Sequence, residues 1–378
     1  MSELEYTEQG WRLTADTSRH HRERSWDYRG RGIYHLTLVV AERYPLFGKL
    51  KGDSAEQATV ELSDFGREVW RLIRTTPQYY AHKEGYNLKI LAGQIMPDHA
   101  HVVLQVVEPI SQPIGQVIRG IKSACSAAYK RIYSTTTTAL KDEREVNEIS
   151  KDYTDTNDSI VHFARIFASR GSIWQSEVAH YHERILHKEG QLRSMIDYVK
   201  DNPRRLWLKR ANPDLFRIRR QTKVAGIECT TLGNIFLAER PVRAVLQCSR
   251  TLTQAEIDAK REQCLAQADN GTVFISAAIS EGEKQISRAL RRNGYPMIIL
   301  LQNGFPKPGD PHERYYKPGG EYFNACANEQ LLLIEPSEAL FDASEIEASV
   351  YSKAHDIPHS SQRYRFLALN AIAWMIEK

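Results

Sequence analysis

The chain has 378 residues, of which 42% are hydrophobic and 26% charged. That is the balance of an ordinary globular protein, and the length favours two domains. No apolar run approaches the eighteen or so residues of a membrane span, and the polar, acidic start of the chain does not look like a secretory signal, so we expect no membrane partner. The five cysteines form no CxxC motif, which argues against a disulfide framework or zinc knuckle and favours a cytoplasmic protein.

The positive charge is concentrated in the first part of the chain. Residues 1–222 contain 34 Lys and Arg against 28 Asp and Glu, whereas residues 223–378 contain 17 against 19. Residues 200–220 are the most basic stretch, with eight basic residues, two acids and interleaved aromatics. Cations beside aromatic rings suit a nucleic-acid backbone with splayed bases, although a solvated charged surface can have the same composition.

The first part of the chain alternates strand and helix patterns. Hydrophobic periodicity predicts strands at 33–40, 86–95, 99–107, 160–167 and 180–186, and helices at 58–76, 114–133 and 189–200. Pro203 is expected to end the last of these helices. Residues 135–158, rich in Thr and acids, are expected to be a loop insertion. The short turn between 86–95 and 99–107 indicates antiparallel pairing, so we predict an α+β fold with one sheet.

The pattern changes after about residue 232. Short apolar strands are predicted at 242–248, 273–276, 297–301 and 331–334, and helices at 253–269, 281–292 and 363–376. Thr253 is a plausible N-cap, with Glu256 three residues later. This alternation predicts a smaller α/β domain with a parallel, doubly wound, Rossmann-like sheet. The predicted domains are therefore 1–222 and 232–378.

Two patterns in the first domain could support chemistry. His99 and His101 lie two apart on a predicted strand, so both imidazoles project from one face and can reach one cation. This signal is weak alone, because the chain has thirteen histidines and a second such pair, His180 and His182. Tyr198 lies four residues before Asn202 on a predicted helix, so the two should share a face.

The combination of motifs is more specific than any one of them. The sequence reads GRGIYH at 30–35, MPDHAH at 96–101, WQ at 174–175 and Y-x-x-x-N-P at 198–203. In this order, over about residues 26–210, these motifs resemble those of the His-hydrophobe-His (HUH) single-tyrosine transposases, especially the REP-associated tyrosine transposases. The resemblance implies a ferredoxin-like antiparallel sheet with helices, and a nuclease that nicks and rejoins single-stranded DNA near hairpins of palindromic repeats.

The resemblance also implies roles for individual residues. His99 and His101 would bind Mg²⁺ or Mn²⁺, Asn202 would supply a third ligand, and Tyr198 would be the nucleophile that forms a 5′-phosphotyrosine. The candidates for holding the DNA backbone are all basic: Lys122, Arg204, Arg205, Lys209 and Arg210. The alternative function is a domesticated protein that binds hairpin DNA without cutting it.

The second domain is less informative. Polar or small residues follow two of its predicted strands, at the carboxyl ends where α/β folds bind ligands: Ser249, Arg250, Ser276, Ser280 and Gly282. No GxGxxG or Walker pattern is present. The stretch from 274 to 333 faintly resembles the Rossmann-like domain of the DNA-processing protein A family, which implies a DNA- or nucleotide-binding accessory. A structural or dimerisation domain, giving a homodimer, is the alternative.

Overall fold

The structure is a computed structural model. It describes the main chain of residues 4–7 and 10–13, and residues 23, 25–133, 163, 167, 171–175, 182–305, 318–343, 346, 357–358 and 361–378. The chain divides into two compact units. We call residues 17–207 the N-terminal unit, and residues 208–378 together with 1–16 the C-terminal unit. The predicted insertion at 135–158 lies outside the described residues.

The described elements are as follows. The strands are β1 (Leu4–Thr7), β2 (Gly10–Leu13), β3 (Gly32–Val39), β4 (Gly48–Lys51), β5 (Thr59–Leu62), β6 (Leu88–Ile95), β7 (His99–Val106), β8 (His182–Ile185), β9 (Arg219–Val224), β10 (Ile227–Gly233), β11 (Arg243–Val245), β12 (Val273–Ser276), β13 (Met297–Leu300) and β14 (Leu331–Pro336). The helices are α1 (Asp64–Glu84), α2 (Gly115–Ile132), α3 (Gln191–Ala211), α4 (Gln254–Asp269), α5 (Glu281–Arg292), α6 (Gly320–Ala327), α7 (Glu338–Phe341) and α8 (Gln362–Glu377). Within these ranges, no helix has the length and apolar composition that crossing a membrane requires.

The N-terminal unit is built on a four-stranded antiparallel sheet of order β6-β7-β3-β8. Side chains alternate along each strand, so each face of the sheet has its own partners. On one face, Leu36 and Leu38 pack with α1 and α2 in the main core. On the other, Val103 packs with Met195 and Val199 of α3. The α+β fold class predicted from the sequence is confirmed, and α3 lies on the face that carries the paired histidines.

The predicted helix at 58–76 was wrong at both ends. Residues 59–62 form strand β5, which pairs with β4, and the helix starts only after Ser63. The Ser63 hydroxyl accepts a hydrogen bond from the Gly66 amide at 2.9 Å, which satisfies a donor left open in the first turn. The helix then continues through Pro77 to Glu84. The local cap and tertiary packing therefore decide this boundary.

The predicted strand at 160–167 was also wrong. Phe163 and Phe167, its two described residues, are helical. Both are buried in the core, where Phe163 packs against Tyr44 and Tyr129. A short apolar run cannot by its pattern distinguish a buried strand from a buried helix turn.

Helix α3 does not end at Pro203, contrary to the prediction. Pro203 has no N–H for the carbonyl of Val199, which would normally be its partner. The side-chain NH₂ group of Asn202 donates to the neighbouring Tyr198 carbonyl at 2.8 Å and reaches the Val199 carbonyl at 3.5 Å. This amide offers the Val199 carbonyl a weak substitute donor, and the helix continues to Ala211.

The C-terminal unit contains a six-stranded sheet of order β11-β12-β13-β14-β10-β9. The first four strands are parallel and lie in chain order, whereas β10 and β9 are antiparallel. The prediction of an α/β domain is confirmed. The doubly wound arrangement was wrong, because the described parallel strands show no reversal of order that would open a ligand crevice. The segment expected to hold the domain boundary, 220–232, lies in the β9–β10 hairpin of this sheet.

Both faces of this sheet are covered. Ile275, Ile298 and Leu332 pack on the side of α8, and Phe274 and Ile299, which alternate with them, pack with α4, α5 and α6. Strands buried on both faces are nearly continuous apolar runs, which explains why their positions could be predicted from the sequence.

Two capping boxes define the helix starts in this unit. The one predicted at Thr253 and Glu256 is confirmed. The second joins Ser280 to Glu283, whose side chain is 2% exposed. The Glu283 carboxylate also accepts the amides of Cys248 at 3.0 Å and Ile279 at 2.7 Å. One carboxylate therefore fixes the loops that follow β11 and β12.

We predict that Glu283→Ala destabilises the C-terminal unit by about 2 kcal/mol or more, because several buried amides lose their acceptor, each costing about 1–3 kcal/mol. Hydrogen exchange of the full chain should show faster exchange at Cys248 and Ile279. Glu281→Ala, in the same helix turn but exposed, is the control and should leave both rates unchanged. Equal protection in the two variants would contradict this role of Glu283.

Candidate metal centre and tyrosine

The two histidines of the HxH motif face each other at the start of β7. The Nε2 atoms of His99 and His101 are 3.1 Å apart, and the ring planes are nearly perpendicular, at 89°. Both residues project from the face of the sheet that α3 covers. Two nitrogens at this distance need a proton or a cation between them, because two facing lone pairs repel each other.

The other ring nitrogen of His99 is held by a carboxylate. Nδ1 of His99 lies 2.5 Å from Oδ1 of Asp98, and the other carboxylate oxygen accepts a hydrogen bond from Arg43 at 3.3 Å. Burial raises the pKa of Asp98, but the hydrogen bonds and charges of His99 and Arg43 outweigh it and bring the pKa down to about 2. An ionised carboxylate can only accept, so Nδ1 of His99 carries a proton towards it, and in the neutral imidazole Nε2 presents the lone pair.

The other ring nitrogen of His101 also has partners. Nδ1 lies 3.0 Å from Nε2 of His35 and 3.2 Å from the hydroxyl of Thr37, both on β3. The rings of His35 and His101 are stacked, with centroids 5.1 Å apart. His35 is only 8% exposed, and burial together with the charge of Arg184 lowers its pKa to about 4. His35 is therefore neutral at pH 7 and has one donor and one acceptor nitrogen.

The geometry of the histidine pair fits a divalent cation. Two ligands at right angles, each about 2.1 Å from an ion, are about 3.0 Å apart, close to the observed 3.1 Å. The described residues contain no group of three or more His, Cys, Asp or Glu that could hold a metal. Amide, phosphate or water oxygens could supply further ligands, and oxygen ligands suit Mg²⁺ or Mn²⁺.

Helix α3 brings the predicted nucleophile to the histidines. The ring of Tyr198 lies 5.6 Å from that of His101 and 6.2 Å from that of His35, measured between centroids, and meets both edge to face. The guanidinium of Arg205, two turns further along α3, lies 5.3 Å from the Tyr198 ring centroid. The structure therefore brings Tyr198 close to His101 and His35, and its role as nucleophile stays a prediction.

The side-chain nitrogen of Asn202 is hydrogen-bonded within α3. The side chain is 8% exposed, and its NH₂ group is held by main-chain carbonyls of the same helix, as described above. No hydrogen bond to its amide oxygen occurs among the described residues. An amide oxygen is a ligand that a hard cation accepts, and ligation by Asn202 stays a prediction.

The predicted DNA-binding residues are mostly engaged in contacts of their own. Arg204 donates to Asp201 at 2.6 Å, and the Lys209 ammonium lies 5.6 Å from the Phe323 ring centroid. The Lys122 ammonium lies 5.7 Å from the Trp174 ring centroid and is half-buried. Arg205 contacts Tyr198, and Arg210 is exposed. Of these five residues, Arg210 is thus the most accessible to a DNA backbone.

The residues predicted as ligands in the C-terminal unit lie at one sheet edge, since β11 and β12 are adjacent and parallel. Several have internal partners. The Ser276 hydroxyl accepts the Ala278 amide at 3.0 Å, Ser280 caps α5, and Gly282 packs closely against Cys248. Ser249 and Arg250 are exposed.

Comparison with known proteins adds little to this picture. No family model matches the sequence, and no curated protein is significantly similar. A similar solved structure is that of a protein from Deinococcus radiodurans R1 that carries the provisional name of transposase. It is 14% identical, with a TM-score of 0.24, and the match covers 49% of this chain and 98% of that chain. A likeness of this extent carries no weight for the site or its activity.

Sequence reasoning missed the residues that orient the histidines. Asp98 follows Pro97 and had been interpreted only as part of a turn, although a carboxylate next to a candidate ligand is a recognisable signal. His35 and Thr37 lie two residues apart on β3 and therefore share a face of the sheet. Their contact with His101 depends on the pairing of β3 with β7, in which Thr37 lies opposite His101. Sequence spacing carries no signal for that pairing.

We predict that Asp98→Asn weakens Mn²⁺ binding by about 10- to 100-fold, the usual effect of removing such an orienting partner. The amide can donate to Nδ1 of His99, which moves the ring proton to Nε2 and removes the lone pair needed for ligation. Isothermal titration calorimetry measures the affinity, with the exposed Asp53→Asn variant as control. Equal affinities in the two variants would disprove the orienting role.

A further prediction concerns pH and Lys122. Burial lowers the pKa of Lys122 from 10.5 to about 8. Between these values the unfolded chain binds a proton that the folded chain does not, so the unfolding free energy gains a contribution that rises with pH. Lys122→Met lacks this contribution. Its stability relative to the wild type should therefore be highest below pH 8 and decline towards pH 10.5.

Urea denaturation of both proteins across this range measures the difference. Tyrosine and cysteine titrations are common to the two proteins and cancel. Parallel stability curves would show that the Lys122 ammonium is not held in a desolvated position.

Proposed function

We propose that this protein is a metal-dependent transposase or endonuclease that nicks and rejoins single-stranded DNA through a phosphotyrosine intermediate. One observation carries the proposal: the ring of Tyr198 lies beside the imidazole of His101, whose Nε2 faces that of His99 at 3.1 Å. A phenol next to a site suited to a divalent cation is the minimum that this chemistry requires.

The chemistry follows from these positions. A cation bound by the two histidines would withdraw charge from a non-bridging phosphate oxygen as the phosphorus becomes five-coordinate. The Tyr198 oxygen forms a bond to phosphorus and loses its proton, while the bond from phosphorus to the 3′ oxygen breaks. The leaving 3′ oxygen gains a proton, so the products are a 5′-phosphotyrosine and a free 3′-hydroxyl.

A covalent intermediate explains why a tyrosine suits rejoining. The phosphotyrosine keeps the energy of the phosphodiester bond, so a 3′-hydroxyl can attack it and reseal a strand without ATP. The burial of Met195 and Val199 fixes α3 on the sheet, and that packing keeps Tyr198 beside the histidines through both steps. The chain therefore provides a rigid platform for cutting and for joining.

The substrate class rests on charge and on the sequence motifs. The first 222 residues carry the excess of positive charge, which favours a polyanion. The resemblance to the REP-associated transposases favours a single-stranded hairpin as the DNA. The alternative function is a protein that binds such hairpins without cutting them. Arg204 and Arg205 are engaged by Asp201 and Tyr198 of the same helix, so these two residues do not favour the alternative.

The two functions are separated by a covalent adduct. We expect that incubation of the protein with a labelled single-stranded hairpin and Mn²⁺ gives a protein–DNA adduct on a denaturing gel. A label at the 3′ end should stay with the protein, and a label at the 5′ end should leave with the released fragment. Chelation of the metal should abolish the adduct.

Two variants make this test specific. Tyr198→Phe should give no adduct, whereas Tyr79→Phe, which alters an exposed tyrosine on α1, should give as much as the wild type. An adduct in Tyr198→Phe would place the nucleophile elsewhere. Hairpin binding by the wild type with no adduct over a panel of palindromic hairpins would favour the binding protein.

A further inference from the structure

We propose that His35 is a positioning residue that accepts the Nδ1 proton of His101 and so directs the Nε2 lone pair of His101 towards His99. This inference rests on the proposed function, because it concerns the same pair of ligands. His35 itself would touch neither the cation nor the DNA. Its role would match that of Asp98 on the other histidine.

The two histidines have the same requirement and different partners. An imidazole that ligates through Nε2 carries its proton on Nδ1, and a hydrogen-bond acceptor at that atom fixes both the tautomer and the ring orientation. For His99 the acceptor is the Asp98 carboxylate at 2.5 Å. For His101 the corresponding contact is with Nε2 of His35, which lies 3.0 Å from Nδ1.

Of the two described groups that contact Nδ1 of His101, His35 is better suited to fix the ring. Thr37 reaches the same nitrogen at 3.2 Å, but its hydroxyl rotates and can donate as well as accept, so it does not select a tautomer. The His35 ring is 8% exposed and stacks on that of His101 with an interplanar angle of 22°. Burial and stacking therefore keep Nε2 of His35 directed at Nδ1 of His101.

The test compares two variants with a matched control in the full chain. His35→Phe keeps a ring but removes the acceptor, and we expect it to weaken Mn²⁺ binding by about 10- to 100-fold. His35→Gln offers an amide oxygen in its place and should recover part of the affinity. Ile33→Val, two residues earlier on the same strand and face, is the control and should stay within about threefold of the wild type.

A spectroscopic measurement reports on the hydrogen bond directly. In ¹⁵N-histidine-labelled protein with saturating Mg²⁺, which is diamagnetic, two-dimensional proton–nitrogen spectra show which ring nitrogen carries each proton. We expect His35 to have its proton on Nδ1 and its Nε2 to accept from His101. A proton on Nε2 of His35 in the Mg²⁺-bound protein would overturn the proposal.

The outcomes separate this inference from the proposed function. If the wild type binds Mn²⁺ and forms the Tyr198 adduct, while His35→Phe and His35→Gln bind Mn²⁺ as tightly, the positioning role of His35 is wrong and the function stands. If the wild type neither binds the metal nor forms an adduct, the proposed function fails, and this inference fails with it. Should His35→Phe not fold, the His35→Gln affinity and the Mg²⁺ spectra decide.

Discussion

The distance between two ring nitrogens is the constraint on which the site depends. Nε2 of His99 and Nε2 of His101 are 3.1 Å apart, and the carboxylate of Asp98 directs the proton of a neutral His99 to Nδ1, away from this gap. Two lone pairs that face each other at this distance repel, so a positive partner must lie between them, either a proton from His101 or a metal ion. Every other feature of the site either holds these two rings in place or brings a reactive group to them.

The sheet holds the two imidazoles in place, and helix α3 brings Tyr198 to them. The antiparallel pairing of β3 with β7 sets Thr37 opposite His101. As a result, His35 and Thr37 both contact Nδ1 of His101. Helix α3 lies over the same face and supplies Tyr198. Just before Pro203, the Asn202 side chain donates to the Tyr198 carbonyl at 2.8 Å, and its role as a ligand stays a prediction.

Much of this arrangement was predictable from local sequence. The alternation of side chains on a strand placed His99 and His101 on one face, and helical spacing placed Tyr198 and Asn202 together. The capping box at Thr253 was equally local. The interactions that the sequence did not reveal are those set by strand pairing or by tertiary packing. The stacking of His35 on His101, the helical state of Phe163 and the passage of α3 through Pro203 belong to this group, as does the mixed sheet of the C-terminal unit.

The central claim is that a cation lies between the two imidazoles and beside the phenol. Anomalous X-ray scattering from a crystal soaked with Mn²⁺ tests it most directly. The account predicts a strong peak about 2.2 Å from both facing nitrogens, within reach of the amide oxygen of Asn202 and the hydroxyl of Tyr198. A Mn²⁺ peak elsewhere in the molecule, with the two imidazoles joined by a hydrogen bond, would contradict it.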